Sequence, residues 1–204
     1  LNAFQEIEKT LLSPSIMGGF AYIPKMECYH GVISMNHTLK GFLNINNQKI
    51  DFTTGKGYIE KDWGTSFPKE YTWIQSNHFK NPSTSLFFSV AHIPFHVITF
   101  KGFICALVVK DKEYRFATYN NSKISIKDQK SDTITIFLEN KEAELTIKGT
   151  ITTAGELIAP KEGIMTKVIK EGLSGEVEIF LKDKKSQNMY QDFSKLAGIE
   201  IVEP

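Results

Sequence analysis

The segment with the greatest potential for chemistry is residues 55–77, where carboxylates and aromatic residues lie close together. It contains Glu60 and Asp62, together with both tryptophans of the chain, Trp63 and Trp73. Residues two apart on a β-strand point to the same side, so a strand here would place the Glu60 and Asp62 carboxylates next to each other. Two adjacent carboxylates raise the pKa of one of them, and this creates a proton donor.

The alternative interpretation of Glu60 and Asp62 is a solvated turn whose charges contribute little. The surrounding aromatic residues favour the first interpretation, because carboxylates among aromatic side chains are desolvated or paired. These aromatic residues are Tyr58, Trp63, Phe67, Tyr71 and Trp73.

Histidines provide two further candidate groups. Glu27 and His30 lie three residues apart and could form an acid/base pair, although a strand histidine is also a common structural hydrogen-bonding group. His92 and His96 flank Pro94. A metal site there needs a third and a fourth ligand that the sequence does not supply, so no metal is predicted.

Composition and motifs exclude several function classes. The 24 Lys and Arg nearly balance the 23 Asp and Glu, so nucleic acid is not an expected partner. Arg115 is the only arginine, which disfavours bidentate recognition of an anionic substrate. The chain has neither a Gly-x-Ser-x-Gly elbow nor a dinucleotide fingerprint. A serine hydrolase and a nucleotide cofactor are therefore not expected.

Most of the 204 residues are predicted to form β-strands. Helical spacing of apolar residues predicts one short N-terminal helix over residues 2–12. Alternating residues over 38–45 and 49–54, separated by Asn46 and Asn47, predict a hairpin. Residues 155–163, around Pro160, are predicted to form a loop.

Residues 86–109 are apolar at nearly every position, so both faces of the strands that they form must be covered. A second sheet or a cavity would cover the second face, and a cavity would suit an apolar ligand. A meander of this length must curl or close to protect its edges. The prediction is a single all-β domain over residues 1–204, an antiparallel barrel or a strongly curved β-sandwich with a short N-terminal helix.

Cys28 and Cys105 are isolated thiols, which suits a reducing compartment and predicts a cytoplasmic protein in which both are small buried hydrophobes. Residues 81–100 carry no Lys, Arg, Asp or Glu. The run contains Pro94 and many β-branched and aromatic residues, so paired strands are predicted rather than a transmembrane span. Contact with a membrane surface and the oligomeric state are left open.

Several segments resemble the tocopherol cyclase family, over about Gly18 to Val202. The most specific is Gly57-Tyr-Ile-Glu-Lys-Asp-Trp-Gly-Thr-Ser-Phe-Pro68. Weaker segments include Phe20-Ala-Tyr-Ile-Pro24, Trp73-Ile-Gln-Ser-Asn77, Ser89-Val-Ala-His-Ile-Pro94, Tyr114-Arg-Phe-Ala-Thr-Tyr119 and Ala197-Gly-Ile-Glu-Ile201. Family members are usually longer at the N-terminus, so we expect this chain to correspond to their C-terminal part.

The resemblance implies a lipocalin-like fold and a cyclisation of a prenylated phenol or hydroquinone to a chromanol. In this reaction an acid protonates the alkene and the phenol oxygen traps the cation, so no cofactor is needed. The resemblance implies Asp62 as the acid and Glu60 as its partner or substitute. It implies His30 or Glu27 as the group that orients or deprotonates the phenol.

The binding residues that the resemblance implies fall into two groups. Trp63 and Trp73 would flank the cation, whose charge the aromatic faces stabilise by roughly 1 to 2 kcal/mol each. The residues expected to contact the head group or line its site are Gln75, Asn77, Tyr58, Tyr71 and His92.

Two other functions remain open at the level of sequence. A non-catalytic carrier of an isoprenoid or another lipid needs the apolar lining but does not need Asp62. A purely structural β domain would use Trp63 and Trp73 as core residues. For both the cyclase and the carrier, the expected partner is a hydrophobic small molecule.

Overall fold

The protein is all-β and antiparallel, as the sequence predicts. A computed structural model describes residues 4–95 and 98–202, in which thirteen strands form. The strands are β1 (Cys28–Thr38), β2 (Phe42–Ile45), β3 (Gln48–Asp51), β4 (Lys56–Gly64), β5 (Tyr71–Ser76), β6 (Ser85–Phe95), β7 (Ile98–Val109), β8 (Lys112–Ala117), β9 (Lys123–Lys127), β10 (Thr133–Glu139), β11 (Ala143–Lys161), β12 (Ile164–Asp183) and β13 (Met189–Val202).

One large sheet dominates the fold. Nine strands follow the order β8-β7-β6-β5-β13-β12-β11-β10-β9, and β1 pairs with β4 in a separate two-stranded ribbon. The predicted hairpin is confirmed as β2–β3, with Asn46 and Asn47 both at positive φ in its turn. No helix among the described residues is long and apolar enough to cross a membrane.

The large sheet curves around its main core. Buried residues from both halves of the sheet belong to one cluster, with Phe88 and Phe116 from the β5–β8 half and Ile136 and Ile179 from the other half. All four are fully buried. Within the described residues no ladder joins the edge strands β8 and β9, so the sheet is curved but is not closed by backbone pairing.

The ribbon β1–β4 covers the outer face of the central strands. Phe87, Ala106 and Val108 point out of the main core and pack with Val32 and Met35 of β1 in a second buried cluster. Strands β6 and β7 are therefore apolar on both faces because a layer of structure lies on each side. This confirms the prediction that a second sheet or a cavity covers residues 86–109.

The predicted N-terminal helix is wrong. The described part of that segment, residues 4–12, contains no helix, and Gln5 exchanges backbone hydrogen bonds with the end of β1. Its N–H donates to the Asn36 carbonyl at 3.1 Å, and its carbonyl accepts from the Met35 N–H at 2.8 Å. A helix this short is marginal in isolation, whereas β1 offers free backbone partners. Of the apolar residues only Ile7 is buried, while Leu11 is 86% exposed.

The predicted loop over residues 155–163 is also wrong. Strand β11 continues to Lys161, and β12 returns after a turn at Glu162 and Gly163, both at positive φ. Pro160 is tolerated in the strand because the ladder to β10 ends at Thr150, so no strand of the sheet lies on the other side of Pro160.

Asp183 holds edge strand β8 against the turn that follows β12. The Asp183 carboxylate accepts hydrogen bonds from Lys112 Nζ at 2.5 Å and from the Tyr114 hydroxyl at 2.9 Å. It also accepts the backbone N–H groups of Lys185 and Ser186 at 2.9 Å each. The Lys112 contact, followed by the Ser186 and Tyr114 hydrogen bonds, holds the pKa of Asp183 well below its usual range.

We expect Asp183 to contribute an acid-sensitive part of the stability. Because its pKa is lowered in the folded state, the stabilisation is present above the unfolded value of about 3.9 and is lost as the pH falls. Asp183→Asn is expected to lower the free energy of unfolding at neutral pH and to flatten its decrease in acid. Urea unfolding of both proteins across this pH range tests the prediction. The prediction would be contradicted if the free energy of unfolding of the wild type and of Asp183→Asn decreased in parallel as the pH falls.

Candidate active site

An apolar cavity of about 250 Å³ lies between the β1–β4 ribbon and the central strands of the large sheet. The ribbon contributes the imidazole of His30 and the carboxyl groups of Glu60 and Asp62 to its wall. The sheet contributes Tyr71 and Trp73. Most of the remaining wall is apolar and includes Met17, Phe20, Met26, Ile93, Phe100 and Phe103.

Strand alternation and register bring the three ionisable groups together. Glu60 and Asp62 lie two apart on β4 and line the same cavity, as the sequence predicts. His30 of β1 lies directly opposite Asp62 in the antiparallel pair. Facing residues in such a pair have Cβ atoms about 4.5–5.5 Å apart, so this register places the imidazole within reach of the carboxylates.

His30 lies between the two carboxylates. Its Nδ1 is hydrogen-bonded to Asp62 Oδ1, and its Nε2 is 3.7 Å from Glu60 Oε2. The Tyr58 hydroxyl donates a hydrogen bond to the same oxygen of Glu60. The His30 ring stacks on Phe87, with ring centroids 4.7 Å apart and an angle of 19° between the planes. These contacts hold the imidazole in one orientation.

The surroundings raise the pKa of both His30 and Glu60. Burial raises the pKa of Glu60, and the opposing effects of His30, Tyr58 and the Trp73 indole do not cancel it. Burial lowers the pKa of His30, but the Asp62 hydrogen bond and the two carboxylate charges outweigh burial and raise it overall. Both groups therefore hold their protons to higher pH than usual, which is suited to acid catalysis.

Two other groups at the site are kept in their neutral forms. Burial, and then the charge of Glu60, raises the pKa of Tyr58 well above its usual value. Burial, with Asp62 and Glu27 nearby, raises the pKa of Cys28 to about 12. Cys28 lines the cavity as a thiol rather than a thiolate, so it is not an activated nucleophile.

The same cluster has some features of a metal site. One ligand atom from each of His30, Glu60 and Asp62 lies within 4.8 Å of the others. Asp62 already bonds to Nδ1, so His30 Nε2 and Glu60 are the remaining donors. A structural zinc ion needs four protein ligands, so the donor set suits proton transfer better than metal binding.

Trp73 forms one wall of the cavity and rests on Gly198 of the neighbouring strand β13. A Cβ atom at residue 198 would lie 2.7 Å from Trp73 Cζ3, so only glycine lets the indole lie flat there. The Trp73 N–H is buried without a hydrogen-bond partner among the described residues. The indole therefore presents an aromatic face to the cavity and directs its N–H toward Glu60.

We expect Gly198→Ala to displace Trp73. Overpacking of this kind costs about 1–3 kcal/mol, so the free energy of unfolding should fall by that amount and the tryptophan emission should shift. Urea unfolding followed by fluorescence measures both effects. Gly19→Ala is the matched control, because its Cβ would meet nothing closer than the Leu12 carbonyl oxygen at 3.7 Å. A Gly198→Ala protein with wild-type emission and stability would contradict the prediction.

Sequence reasoning missed a second polar pair in the cavity. The Tyr71 hydroxyl donates to Glu200 Oε2 at 2.6 Å, and both residues line the cavity. Glu200 lies opposite Trp73 in the β13–β5 ladder. The available signal was a single acidic residue between Ile199 and Ile201 in an otherwise apolar strand.

The structure does not bring Trp63 to the cavity. Trp63 follows Asp62 on β4, points to the other face of the ribbon and is 46% exposed. Its ring stacks on Tyr29, with centroids 5.4 Å apart, and the Lys61 amine lies 4.5 Å from its ring centroid. Of the two tryptophans, only Trp73 is placed to contact a ligand in the cavity.

Four other residues from the sequence analysis have different surroundings. Glu27 lines the cavity at its exposed rim. Asn77 is buried outside the cavity lining and donates to the Gly57 carbonyl at 2.9 Å, which is a structural role. Gln75 follows Trp73 on the same side of β5 but does not line the cavity. His92 is exposed and paired with Glu70.

The structure does not test the His92 and His96 pair, at which no metal is predicted, because His96 lies outside the described residues. Cys28 and Cys105 are both free thiols. Cys105 is fully buried, as expected, whereas Cys28 is only partly buried and faces the cavity.

Two curated plant proteins are similar to part of this chain. They are "Probable tocopherol cyclase, chloroplastic" of Oryza sativa subsp. japonica, 28% identical over 69 residues, and "Tocopherol cyclase, chloroplastic" of Zea mays, 29% identical over 69 residues. Each match covers 34% of this chain and 15% of the relative. The chain therefore matches only a small part of the length of these relatives.

One solved structure and one family profile complete the comparison. Kievitone hydratase from Nectria haematococca is 11% identical, with a TM-score of 0.49, over 85% of this chain and 53% of that one. The profile of the family described as "Tocopherol cyclase-like" matches residues 9–202, which is nearly the whole chain. The chain belongs to the tocopherol cyclase-like family.

Proposed function

We propose that the protein cyclises a prenylated phenol or hydroquinone to a chromanol, with Glu60 as the proton donor. The observation that carries this proposal is a buried carboxyl with a raised pKa on the wall of an apolar cavity, flanked by Tyr58 and His30. Alkene protonation needs such an acid, because water would compete for the proton and would trap the cation.

The chemical step uses one proton that Glu60 donates and recovers. Glu60 transfers its proton to the less substituted alkene carbon, which leaves a tertiary cation at the other carbon. The phenol oxygen attacks that cation and forms the new C–O bond, and the phenol proton then returns to the Glu60 carboxylate. Substrate and product are isomers, so the step needs no oxidant or reductant.

His30 makes Glu60 a stronger acid at the moment of transfer. The positive imidazolium, 3.7 Å from Glu60 Oε2, stabilises the carboxylate that forms when the proton leaves. The raised pKa of His30 keeps that charge in place. For the same reason we assign His30 a supporting role rather than that of the base for the phenol proton.

We assign the acid to Glu60 rather than to Asp62. The Asp62 carboxylate is engaged with His30 Nδ1, and its side chain is 27% exposed against 19% for Glu60. Asp62 therefore orients the imidazole and holds its charge. Trp73, beside Glu60 in the cavity, is placed to stabilise the passing cation through its aromatic face.

The cavity suits the reacting end of such a substrate. Its volume of about 250 Å³ is just below the range of about 300–1,000 Å³ that is usual for small-molecule sites. It would hold the ring and the first prenyl unit in a lipocalin-like enclosure, while a longer tail would leave through the mouth. Tyr71 and Glu200 supply a second polar position for a further ring hydroxyl.

Cyclisation in deuterated water tests the proposal. Purified protein incubated with a prenylated hydroquinone in D₂O should yield a chromanol that carries one carbon-bound deuterium, because the proton on Glu60 exchanges with solvent before transfer. Mass spectrometry with chromatographic separation measures the label, and heat-denatured protein is the control.

The outcomes separate catalysis from transport. A labelled chromanol supports the cyclase. A bound isoprenoid that is extracted unchanged, with no label and no change in retention, would overturn it in favour of a carrier.

A further inference from the structure

The end of the β11–β12 hairpin exposes a group of large apolar side chains, which we call the apolar tip. Each of them exposes between 43% and 65% of its surface. Surface leucine and isoleucine residues are ordinary when scattered, but a contiguous group indicates an interaction site. The residues of the apolar tip are Leu157, Ile158, Ile164, Met165 and Val168.

The apolar tip projects as a two-sided ribbon. Leu157 and Ile158 are consecutive, as are Ile164 and Met165, so both faces of the hairpin carry exposed apolar groups. The ladders to the neighbouring strands end at Thr150 in β11 and at Gly172 in β12. Beyond them, among the described residues, no other strand pairs with β11 or β12 over about 20 Å, although the Phe67 N–H donates to the Pro160 carbonyl at 3.4 Å.

The apolar tip is continuous with the mouth of the cavity. Leu157 lines the cavity together with Phe67. The turn is anchored to the segment that carries Phe67, because the Gly163 N–H donates to the Thr65 carbonyl at 2.7 Å and the Glu162 N–H donates to Ser66 Oγ at 2.9 Å. Leu157 therefore belongs both to the cavity wall and to the exposed apolar tip.

We propose that the apolar tip docks the protein on a lipid bilayer and inserts its side chains into the interface. A flat protein partner would cover one face of the ribbon and leave the other wet, whereas immersion in lipid covers both. Over the paired residues 156–170, three lysines outnumber two glutamates. This positive balance complements an anionic headgroup layer.

The dimensions agree with interfacial docking. An apolar element at an interface is buried by about 5–10 Å, so the end of the hairpin can enter together with residues 65–67, which contact it, while the large sheet stays outside. The cavity mouth then faces the membrane, and a long apolar tail need not cross water. This goes beyond the proposed reaction and does not depend on it.

The β2–β3 hairpin provides a matched control surface. Leu43 and Ile45 are 53% and 49% exposed, similar to the apolar tip. This hairpin connects the Thr38 end of β1 to the Lys56 end of β4, whereas the cavity lies near the opposite end of that ribbon. Non-specific adsorption to vesicles through exposed apolar side chains would therefore involve both hairpins.

Vesicle flotation without any substrate tests the proposal. The vesicles contain phosphatidylcholine alone or an equal mixture with phosphatidylglycerol. We expect the wild type to float with both and more strongly with the anionic mixture. The double variant Ile164→Ser/Met165→Ser should lose about tenfold in affinity, and Leu43→Ser/Ile45→Ser should bind like the wild type.

Tryptophan fluorescence locates the β11–β12 hairpin relative to the bilayer. In Ile164→Trp the added indole should show a blue shift on vesicle binding and quenching by brominated lipid, and in Leu43→Trp it should not. Equal loss in both double variants, or no flotation of the wild type, would overturn the proposal. A dimer that becomes monomeric only in Ile164→Ser/Met165→Ser, without vesicle binding, would assign the surface to a second copy instead.

Discussion

Glu60→Gln is expected to lower the rate of cyclisation by about 10²–10⁴-fold, the usual contribution of a positioned acid, while ligand binding persists. Glutamine keeps the shape of the side chain and its contact with Tyr58 but has no proton of suitable acidity. Initial rates and ligand affinity of the two proteins measure the two effects separately. Glu178→Gln, on β12 at the outer surface of the sheet, is the control.

The pH dependence of the wild type follows from the direction of the pKa shift. Because burial raises the pKa of Glu60, the acid form persists to higher pH, and the rate should fall as the pH rises through that raised value. Glu60 and His30 interact closely, so the profile reports the pair rather than one residue. If Glu60→Gln kept full activity and Asp62→Asn lost it, the assignment of the acid to Glu60 would be wrong.

His30→Gln is expected to lower the rate by about 10²-fold and to move the alkaline limb of the profile to higher pH. The charge of His30 lowers the pKa of Glu60, so its removal lets burial raise that pKa further. Glu60 then stays protonated longer but is a weaker acid, since the carboxylate that forms has lost its neighbouring cation.

In His30→Gln the rate should fall while the alkaline limb moves to higher pH. This combination distinguishes an electrostatic role of His30 from a structural one. A variant that was merely less stable would lose rate at every pH without moving the limb. Rate profiles of wild type, His30→Gln and the control His78→Gln, whose side chain is exposed, measure the difference. A limb that stayed in place or moved to lower pH would contradict the proposed interaction.

Much of the fold follows from local pattern. The alternation over residues 38–54 and the turn at Asn46 and Asn47 are sufficient for the β2–β3 hairpin, because both depend only on nearby residues. The apolar run over 86–109 indicates strands with both faces covered, and the structure confirms this. The structure confirms these predictions because each depends on residues that are close together in the sequence.

The wrong predictions share one cause. The helical spacing over residues 2–12 is real, but a short isolated helix is weak and the free edge of β1 offers backbone hydrogen bonds to Gln5. Pro160 normally ends a strand, but here the neighbouring ladder has already ended, so the missing N–H costs nothing. In each case a neighbour distant in sequence decides the local structure.

The sequence alone is sufficient to predict that the Glu60 and Asp62 carboxylates lie side by side on a strand. The spacing of Glu60 and Asp62 on a strand places them on one face, and the aromatic surroundings predict their desolvation, which the structure shows for the partly buried Glu60 but not for the exposed Asp62. Both conclusions rest on strand geometry and composition, which need no knowledge of pairing. The apolar ligand is likewise a prediction from composition.

Strand register and packing between distant segments bring the cavity groups together. The register of β1 against β4 sets His30 opposite Asp62, and the packing of the ribbon on the sheet turns Trp73 inward and leaves Trp63 outside. Glu200 joins the cavity through its pairing opposite Trp73. Alternation states that two residues share a face but not which face is buried, because burial depends on what the rest of the chain packs against it.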